Sequence, residues 1–426
     1  MDKYIRCFLI SFLIIFTELS AQTLSKISNT PQSVDSVEIY RSQYKGKETW
    51  ERIVSFPGTA VSMPLVLFFK MQEQIVGYVY ENKLIPKTID FFTSVDEQRG
   101  IEPTYSSRSG GGIKFFQKGI LNPEFKLSLK ASGSFYGRQH YQMEFKRLAL
   151  YRDLLKFRIM GEYRYLLGEA FYGIGPKTRS GNRTDYDHEL FAAESDFGIQ
   201  LGKKLMLITQ VGIDHHNIFG HSGSVRPSIK ELYKEDALPG LESGVQISRF
   251  QVGFQYDSKN RIGNPSSGKE MNFAATTFQD MNDANYSFWK ISAEINQYVH
   301  LFRNRVIAFS ITGETTEPYE NRQIPFYYLS SFGRHETIRG FSRGRFRDQD
   351  MLLGSIEYRI PLWHHLDTNL FVDAGQVSND IFNNFRTDKM QFGYGIGWRL
   401  WNSSKLVATL EFAFSKERFR VYFELN

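Results

Sequence analysis

From residue 101 onward the chain alternates apolar and polar positions with a period of two. Phe125, Leu127, Leu129 and Ala131 interleave with Lys126, Ser128, Lys130 and Ser132. Leu155, Phe157, Ile159, Tyr163 and Tyr165 interleave with Lys156, Arg158, Glu162 and Arg164. The same pattern returns at Trp289, Ile291, Ala293 and Ile295 against Lys290, Ser292 and Glu294, and at Phe392, Tyr394, Ile396 and Trp398 against Gly393, Gly395 and Gly397. Period two is the signature of a strand, whose successive side chains point to opposite faces. Here one face is charged or small while the other is apolar and aromatic. A soluble barrel with a dry core cannot use that arrangement, whereas a transmembrane barrel requires it, with lipid outside and a polar lumen inside.

Such runs fall near 101–107, 111–118, 124–136, 140–151, 154–166, 188–201, 204–215 and 245–257. The second half adds 269–280, 286–299, 305–315, 352–361, 366–376, 389–401, 404–414 and 418–425. The expected fold is therefore all-β, a 16-stranded antiparallel transmembrane β-barrel over residues 101–426, with the even strand number of single-chain bacterial barrels. Short turns such as Gly202-Lys203 alternate with long loops at 167–187, 216–244 and 316–351. Short turns belong on the periplasmic side, so both ends of the barrel segment face the periplasm and the third long loop is the sixth outer loop.

The start of the chain reads differently. Residues 1–21 carry a short charged lead (Asp2, Lys3, Arg6), an apolar run from Cys7 to Phe16 and a small-residue end at Ser20-Ala21. That is the pattern of a secretory signal peptide, with a signal anchor as the alternative. Residues 22–100 form an N-terminal periplasmic segment with short helical stretches broken near Pro57-Gly58 and Pro64. Cys7 is the single cysteine, so a chain without the first 21 residues has neither disulfides nor Cys-ligated metals.

Composition narrows the class further. Aromatic residues make up 15% of the chain and Gly 34 of its 426 residues, yet the mean hydropathy is −0.37. No stretch after the first 21 residues reaches the roughly 18 continuous apolar residues of a spanning helix. A membrane protein of this kind crosses as a closed barrel, the other structure that satisfies its backbone in lipid. The net charge of +6 is spread over polar strand faces and loops. That suits a polar lumen and anionic lipid headgroups, and no nucleic-acid partner is expected.

The stretch Tyr328–Gly375 carries the most specific signal. Ser330–Asp350 is rich in Gly and Arg without period and reads as a loop. Two alternating runs follow, with Ser355, Glu357 and Arg359 on the polar face of one and Asp367, Asn369, Asp373 and Gly375 sharing a face of the other. An Arg from such a loop suits inward carboxylates, because its planar fork pairs bidentately and keeps its charge. Ile338-Arg339-Gly340-Phe341, followed by IEYRIP and FVDAG, resembles three ordered motifs of the BamA/TamA outer-membrane barrel superfamily, the bacterial surface antigen family. The resemblance implies that the loop enters the lumen, with Arg339, Gly340 and Phe341 latched onto Glu357 and Asp373. It also implies protein insertion or translocation at the outer membrane of a Gram-negative-type bacterium, without a cofactor, with outer-membrane or secreted clients as partners. In that family periplasmic POTRA domains, small βααββ units, precede the barrel. Their three alternating strands are not found in 22–100, so a POTRA-poor or POTRA-less member is expected.

Other candidate chemistry is thin. Asp214-His215-His216 with His221 is compatible with a metal site or an Asp/His protease at the rim, but a polar outer loop is preferred because further ligands are not identifiable. His364-His365 reads as an interfacial pair in a turn. Gly110-Gly111-Gly112 lacks the Lys-Ser/Thr of a phosphate loop and suits a bending hairpin. Arg343, Arg345 and Arg347 are compatible with binding lipopolysaccharide phosphates, but a solvated or lumen-lining loop is preferred. No catalytic, cofactor or metal residues are assigned and no enzyme is expected.

Closing the barrel joins the strand near Pro103 to the strand near Phe423, and Pro103 cannot donate a ladder hydrogen bond. A weak seam there would let an incoming strand pair with an exposed edge. The alternative function is a passive or structural barrel, a pore, lipid handler or adhesin, without insertase activity.

Overall fold

The structure, a computed structural model, describes Ser94 and residues 98–425 apart from 107–109, 121–123, 151–153, 222–224, 242–243, 283–284, 334–336, 364–365 and 402–405. The expected signal peptide, the His364-His365 turn and nearly all of the expected segment 22–100 lie outside the described residues.

Sixteen antiparallel strands close into one barrel. In chain order they begin with β1 (Arg99–Ser106), β2 (Gly110–Lys118), β3 (Phe125–Gly133), β4 (Gln139–Leu150), β5 (Leu155–Phe171), β6 (Thr184–Gln200), β7 (Leu205–Gly220) and β8 (Val245–Asp257). They continue with β9 (Gly268–Asp280), β10 (Phe288–His300), β11 (Val306–Pro318), β14 (Asp350–Trp363), β15 (Leu366–Ser378), β16 (Gln391–Trp401), β17 (Leu406–Ser415) and β18 (Phe419–Leu425). Between β11 and β14, β12 (Ser330–Phe332) and β13 (Phe346–Asp348) form a separate hairpin. The expected structureless loop over 330–350 therefore contains a small sheet. The crossing elements are strands, and among the described residues no helix is long and apolar enough to span a membrane.

Burial follows the alternation. Ile113, Leu129, Ile159, Phe197, Val211, Phe250, Ile356, Val372, Tyr394 and Val421 are exposed on the outer surface. Residues of the opposite parity along the strands, among them Ser128, Asp214, Asp373 and Glu411, are buried inside. The apolar core of a soluble fold is thus turned outward along the wall.

Two of the expected long loops are shorter than the pattern suggests. β5 and β6 stay paired out to Phe171↔Thr184, and β6 and β7 out to Tyr186↔Gly220. A register shift between Leu166 and Glu169, with Gly168 at φ +66°, breaks the period of two and hides this extension in the sequence. The extended hairpins are held by a dry cluster at the long-loop end, where Phe171, Tyr186, Ile218, Leu238, Leu241 and Phe326 are buried together. Phe326 N–H also donates to Pro239 O at 2.9 Å, which ties the sixth outer loop (319–349) to the fourth (221–244).

Candidate functional site

The sixth loop turns back into the lumen and ends on the inner face of β14–β18. Gly340 has φ +90°, where an L side chain is strained, and a Cβ there would meet the Phe414 backbone at 2.8 Å. This turn aims Arg339 at the wall. Its Nε donates to Asp373 Oδ2 at 2.8 Å and its Nη2 to Asp373 Oδ1 at 2.7 Å, a bidentate pair. The Arg339 backbone N–H reaches the same carboxylate at 3.0 Å, and Ser355 Oγ donates to it at 2.7 Å. Nη1 donates to Glu411 Oε1 at 3.0 Å, and the guanidinium lies 3.4 Å from the centre of the Phe371 ring.

Asp373 is completely buried and Arg339 only 6% exposed. Burial alone would lower the Arg339 pKa, but the hydrogen bond from Arg339 to Asp373 and the charges of Glu411, Asp373 and Glu357 raise it instead. The guanidinium is therefore locked in its charged form.

Glu357 stands differently from the expectation. It lies 3.7 Å from Arg339, but its closer partners are Arg359 at 2.5 Å and Arg399 at 2.8 Å. Strand register explains this, since Glu357 pairs with Phe371 rather than with Asp373, which sits opposite Ser355. Arg359 in turn donates to Pro265 O at 3.3 Å, and Asn264 to Asp367 at 2.5 Å. Glu357 thereby connects the latch to the β8–β9 turn on the short-turn side.

Four partners are absent from the expected set. Glu411 is an isolated acid among the alternating apolar residues of β17, and that isolation is the signal that points inward. Tyr422, on the inner face of β18, accepts a hydrogen bond from Gly340 N–H at 3.1 Å, while Arg420 donates to Ser342 Oγ at 2.7 Å. The latch thus also holds the last strand. Phe371 stacks under the guanidinium, which accounts for an aromatic on the polar face of β15. Small residues make room for the loop: a Cβ at Gly393 would sit 2.1 Å from Arg339 O, and one at Gly395 2.6 Å from the Phe371 ring.

Arg345 is 2% exposed, with Thr178 accepting from it at 2.8 Å and Glu417 at 2.8 Å. Arg347 donates to Phe326 O at 2.9 Å. Arg345 thus ties the sixth loop to the β5–β6 and β17–β18 connections, Arg347 bonds within the loop, and both are buried, so the surface phosphate reading does not suit them. Asp214 and His216 also serve the sixth loop. Tyr328 Oη donates to Asp214 at 3.0 Å and lies 2.9 Å from His216 Nε2, and His188 meets the other His216 nitrogen at 2.9 Å. His221 instead pairs with Asp187 at 2.6 Å. Among the described residues no group of three His, Cys, Asp or Glu side chains is placed to hold a metal.

The seam is sparse. Among the described residues, β1 and β18 share one registered pair, Tyr105↔Leu425, against eight pairs between β1 and β2 and seven between β17 and β18. Pro103 and Phe423 are not opposite each other, since each lies two positions from the shared pair in opposing directions. Pro103 faces Ile113 of β2, and the Phe423 ring lies 6.1 Å from Tyr105.

Residues 98–423 match the Omp85 superfamily domain. Among solved structures, BamA from Haemophilus ducreyi lacking POTRA domains 1–3 is similar, with a TM-score of 0.57 and 16% identity over 77% of this chain and 69% of that one. CdiB from Acinetobacter baumannii (TM-score 0.46, 14% identity) and CdiB from Escherichia coli (TM-score 0.49, 13% identity) each match 76% of this chain. The matches span 58% and 61% of those two CdiB chains. No curated protein matches.

Proposed function

Because the chain belongs to the Omp85 superfamily of outer-membrane barrels, we propose that it inserts or translocates client proteins at the outer membrane by opening between β1 and β18. The observation that carries this reading is the sparse pairing at that seam, one registered pair among the described residues. Each backbone hydrogen bond contributes only about 0.5–1.5 kcal/mol net, so a one-pair ladder parts at small cost beside its neighbours. A parted edge presents free N–H and C=O groups that pair with an incoming strand. The Arg339 latch would bias this opening, because the loop that carries it also grips Tyr422 and Arg420 of β18.

A disulfide across the shared pair tests the reading. Tyr105→Cys with Leu425→Cys joins positions directly opposite in an antiparallel ladder, a separation within disulfide reach. The oxidised protein is expected to lose insertion of a test barrel while keeping its fold, and reduction to restore it. A second reading, a passive barrel, draws support from the packed cluster around Phe171 and Phe326 that holds the connections together at the long-loop end. Full insertion with the bond formed would remove the seam mechanism, whereas no insertion by the reduced protein would favour the passive barrel.

A further inference from the structure

The inner face of β2–β5, next to the seam strand β1, carries a run of cations that strand pairing sets side by side. Lys118 is the registered partner of Lys126, Lys126 of Lys146, and Lys146 of Arg158. Lys114 is the partner of Lys130 in a second row. Like charges directly opposite on one face oppose folding, and neighbouring strands lie only about 4.8 Å apart. Some members are neutralised: Glu102 pairs with Lys114 at 3.1 Å, Glu144 with Lys146 at 3.1 Å, and Glu194 with Arg158 at 2.5 Å. In the middle, among the described residues, Lys126 and Lys130 have no ion pair. Lys126 lies instead 4.9 Å from the Phe116 ring centre. The wall across β8–β11 contrasts with this, since a hollow of about 220 Å³ there is lined by Gln251, Asn272, Ser292, Thr312, Glu294 and Glu314.

We propose that the Lys118–Lys126–Lys146–Arg158 row, with Lys114 and Lys130 beside it, is a transient binding surface for acidic polypeptide segments entering the lumen. This rests on the insertion or translocation reading and names the class of client segment it favours. Charge complementarity selects an anion. The polar lumen selects a polypeptide over a lipid, because acyl chains cannot follow a headgroup to an inward face while an extended chain can. The choice of lysine matters too. Lysine is a hydrated point charge on a flexible stem, whereas the guanidinium fork of Arg339 fixes its partner in one geometry. Lysines on a wall next to the seam hold a passing segment without trapping it.

The test uses the full chain in nanodiscs of zwitterionic lipid and fluorescent unstructured peptides of alternating Glu and Ser, Gln and Ser, or Lys and Ser. Anisotropy is expected to show binding of the Glu peptide alone, falling steeply as salt rises from about 0.05 to about 0.5 M, where screening shortens to a few ångström. Lys126→Gln with Lys130→Gln is expected to weaken it about tenfold, equivalent to about 1.4 kcal/mol. Lys126→Glu with Lys130→Glu is expected to switch preference to the Lys peptide, which distinguishes a binding surface from a folding defect. Equal binding of Glu and Gln peptides, or no change in the Gln variant, overturns the proposal. So does loss of Glu-peptide binding in nanodiscs containing phosphatidylglycerol, which would assign the row to lipid headgroups. The seam disulfide separates the two readings: undiminished insertion in the locked barrel removes the seam mechanism and leaves peptide binding standing, whereas a silent peptide with a seam-dependent insertase removes only the lysine row.

Discussion

On the β14–β18 side of the lumen, Asp373, Glu411 and Glu357 each have a guanidinium within ion-pair distance, and two glycines of β16 leave room, Gly393 for the loop that brings Arg339 and Gly395 for the Phe371 ring beneath it. On the β2–β4 side, Lys126 and Lys130 sit opposite other lysines, and the adjacent strand β1 closes the barrel through one registered pair. The same inward-outward alternation builds both walls. One is over-determined by paired charge and close packing, while the other keeps uncompensated charge and a short ladder. Stability concentrated on one side and weakness on the other is the arrangement a barrel needs if it is to open at one place and stay folded everywhere else.

The comparison breaks most directly at Arg339. Arg339→Ala leaves Asp373 and Glu411 buried without their cation, and breaking a buried pair by removing one partner costs about 3–5 kcal/mol. Urea unfolding of the barrel in detergent should register a loss of that size, together with release of the loop to protease. Arg343→Ala, which leaves the bonds of Arg339 to Asp373 and Glu411 in place, is expected to cost much less. Equal losses in the two variants would remove the distinction between latch and loop.

Next in size is Gly393→Ala. The added Cβ would meet Arg339 O at 2.1 Å, so either the loop backbone or β16 has to move. Forcing one methyl into packed surroundings costs typically about 1–3 kcal/mol. Because the clash falls on the loop, the variant is expected to expose the loop to protease at denaturant concentrations where the barrel wall still holds. An unchanged digestion profile would mean that the glycines of β16 are not shaping the latch.

Much of this architecture was legible in the chain. The strands and their number follow from period two, and the pairing of Arg339 with Asp373 and Glu357 was expected from the resemblance of IRGF, IEYRIP and FVDAG to the superfamily's motifs, beside a Gly- and Arg-rich loop placed before strands with inward acids. What was hidden has physical causes. The bulge after Leu166 shifts the period and concealed the extensions of β5 and β6. Strand register decides that Asp373 receives both arms of the Arg339 fork while Glu357 serves Arg359 and Arg399, and alternation alone fixes the face of a residue but not its height on the wall. Height also decides the seam, where Pro103 and Phe423 belong to the closing strands but miss each other by four positions along the ladder (two on each strand). Glu411 and Tyr422 were visible as inward polar residues, yet their partner lies about seventy to eighty residues earlier in a loop, a distance no local pattern spans.

The smallest expected effect tests the other wall and has the opposite sign. Lys126→Gln with Lys130→Gln removes two cations from positions facing Lys118, Lys146 and Lys114, with no ion pair lost among the described residues. Like charges directly opposite on one face cost about 0.2–1 kcal/mol per pair, and these side chains are half-exposed, so screening leaves the lower part of that range. The variant should therefore unfold at slightly higher urea than the parent, and the gain should shrink when salt is raised, because screening already relieves the repulsion in the parent. Loss of the Lys126 contact with Phe116 works against the gain and sets its limit. A double variant that is destabilised, or whose gain does not depend on salt, would mean that the lysine wall is held by contacts as firmly as the latch wall, and the contrast between the two sides would then rest on the seam alone.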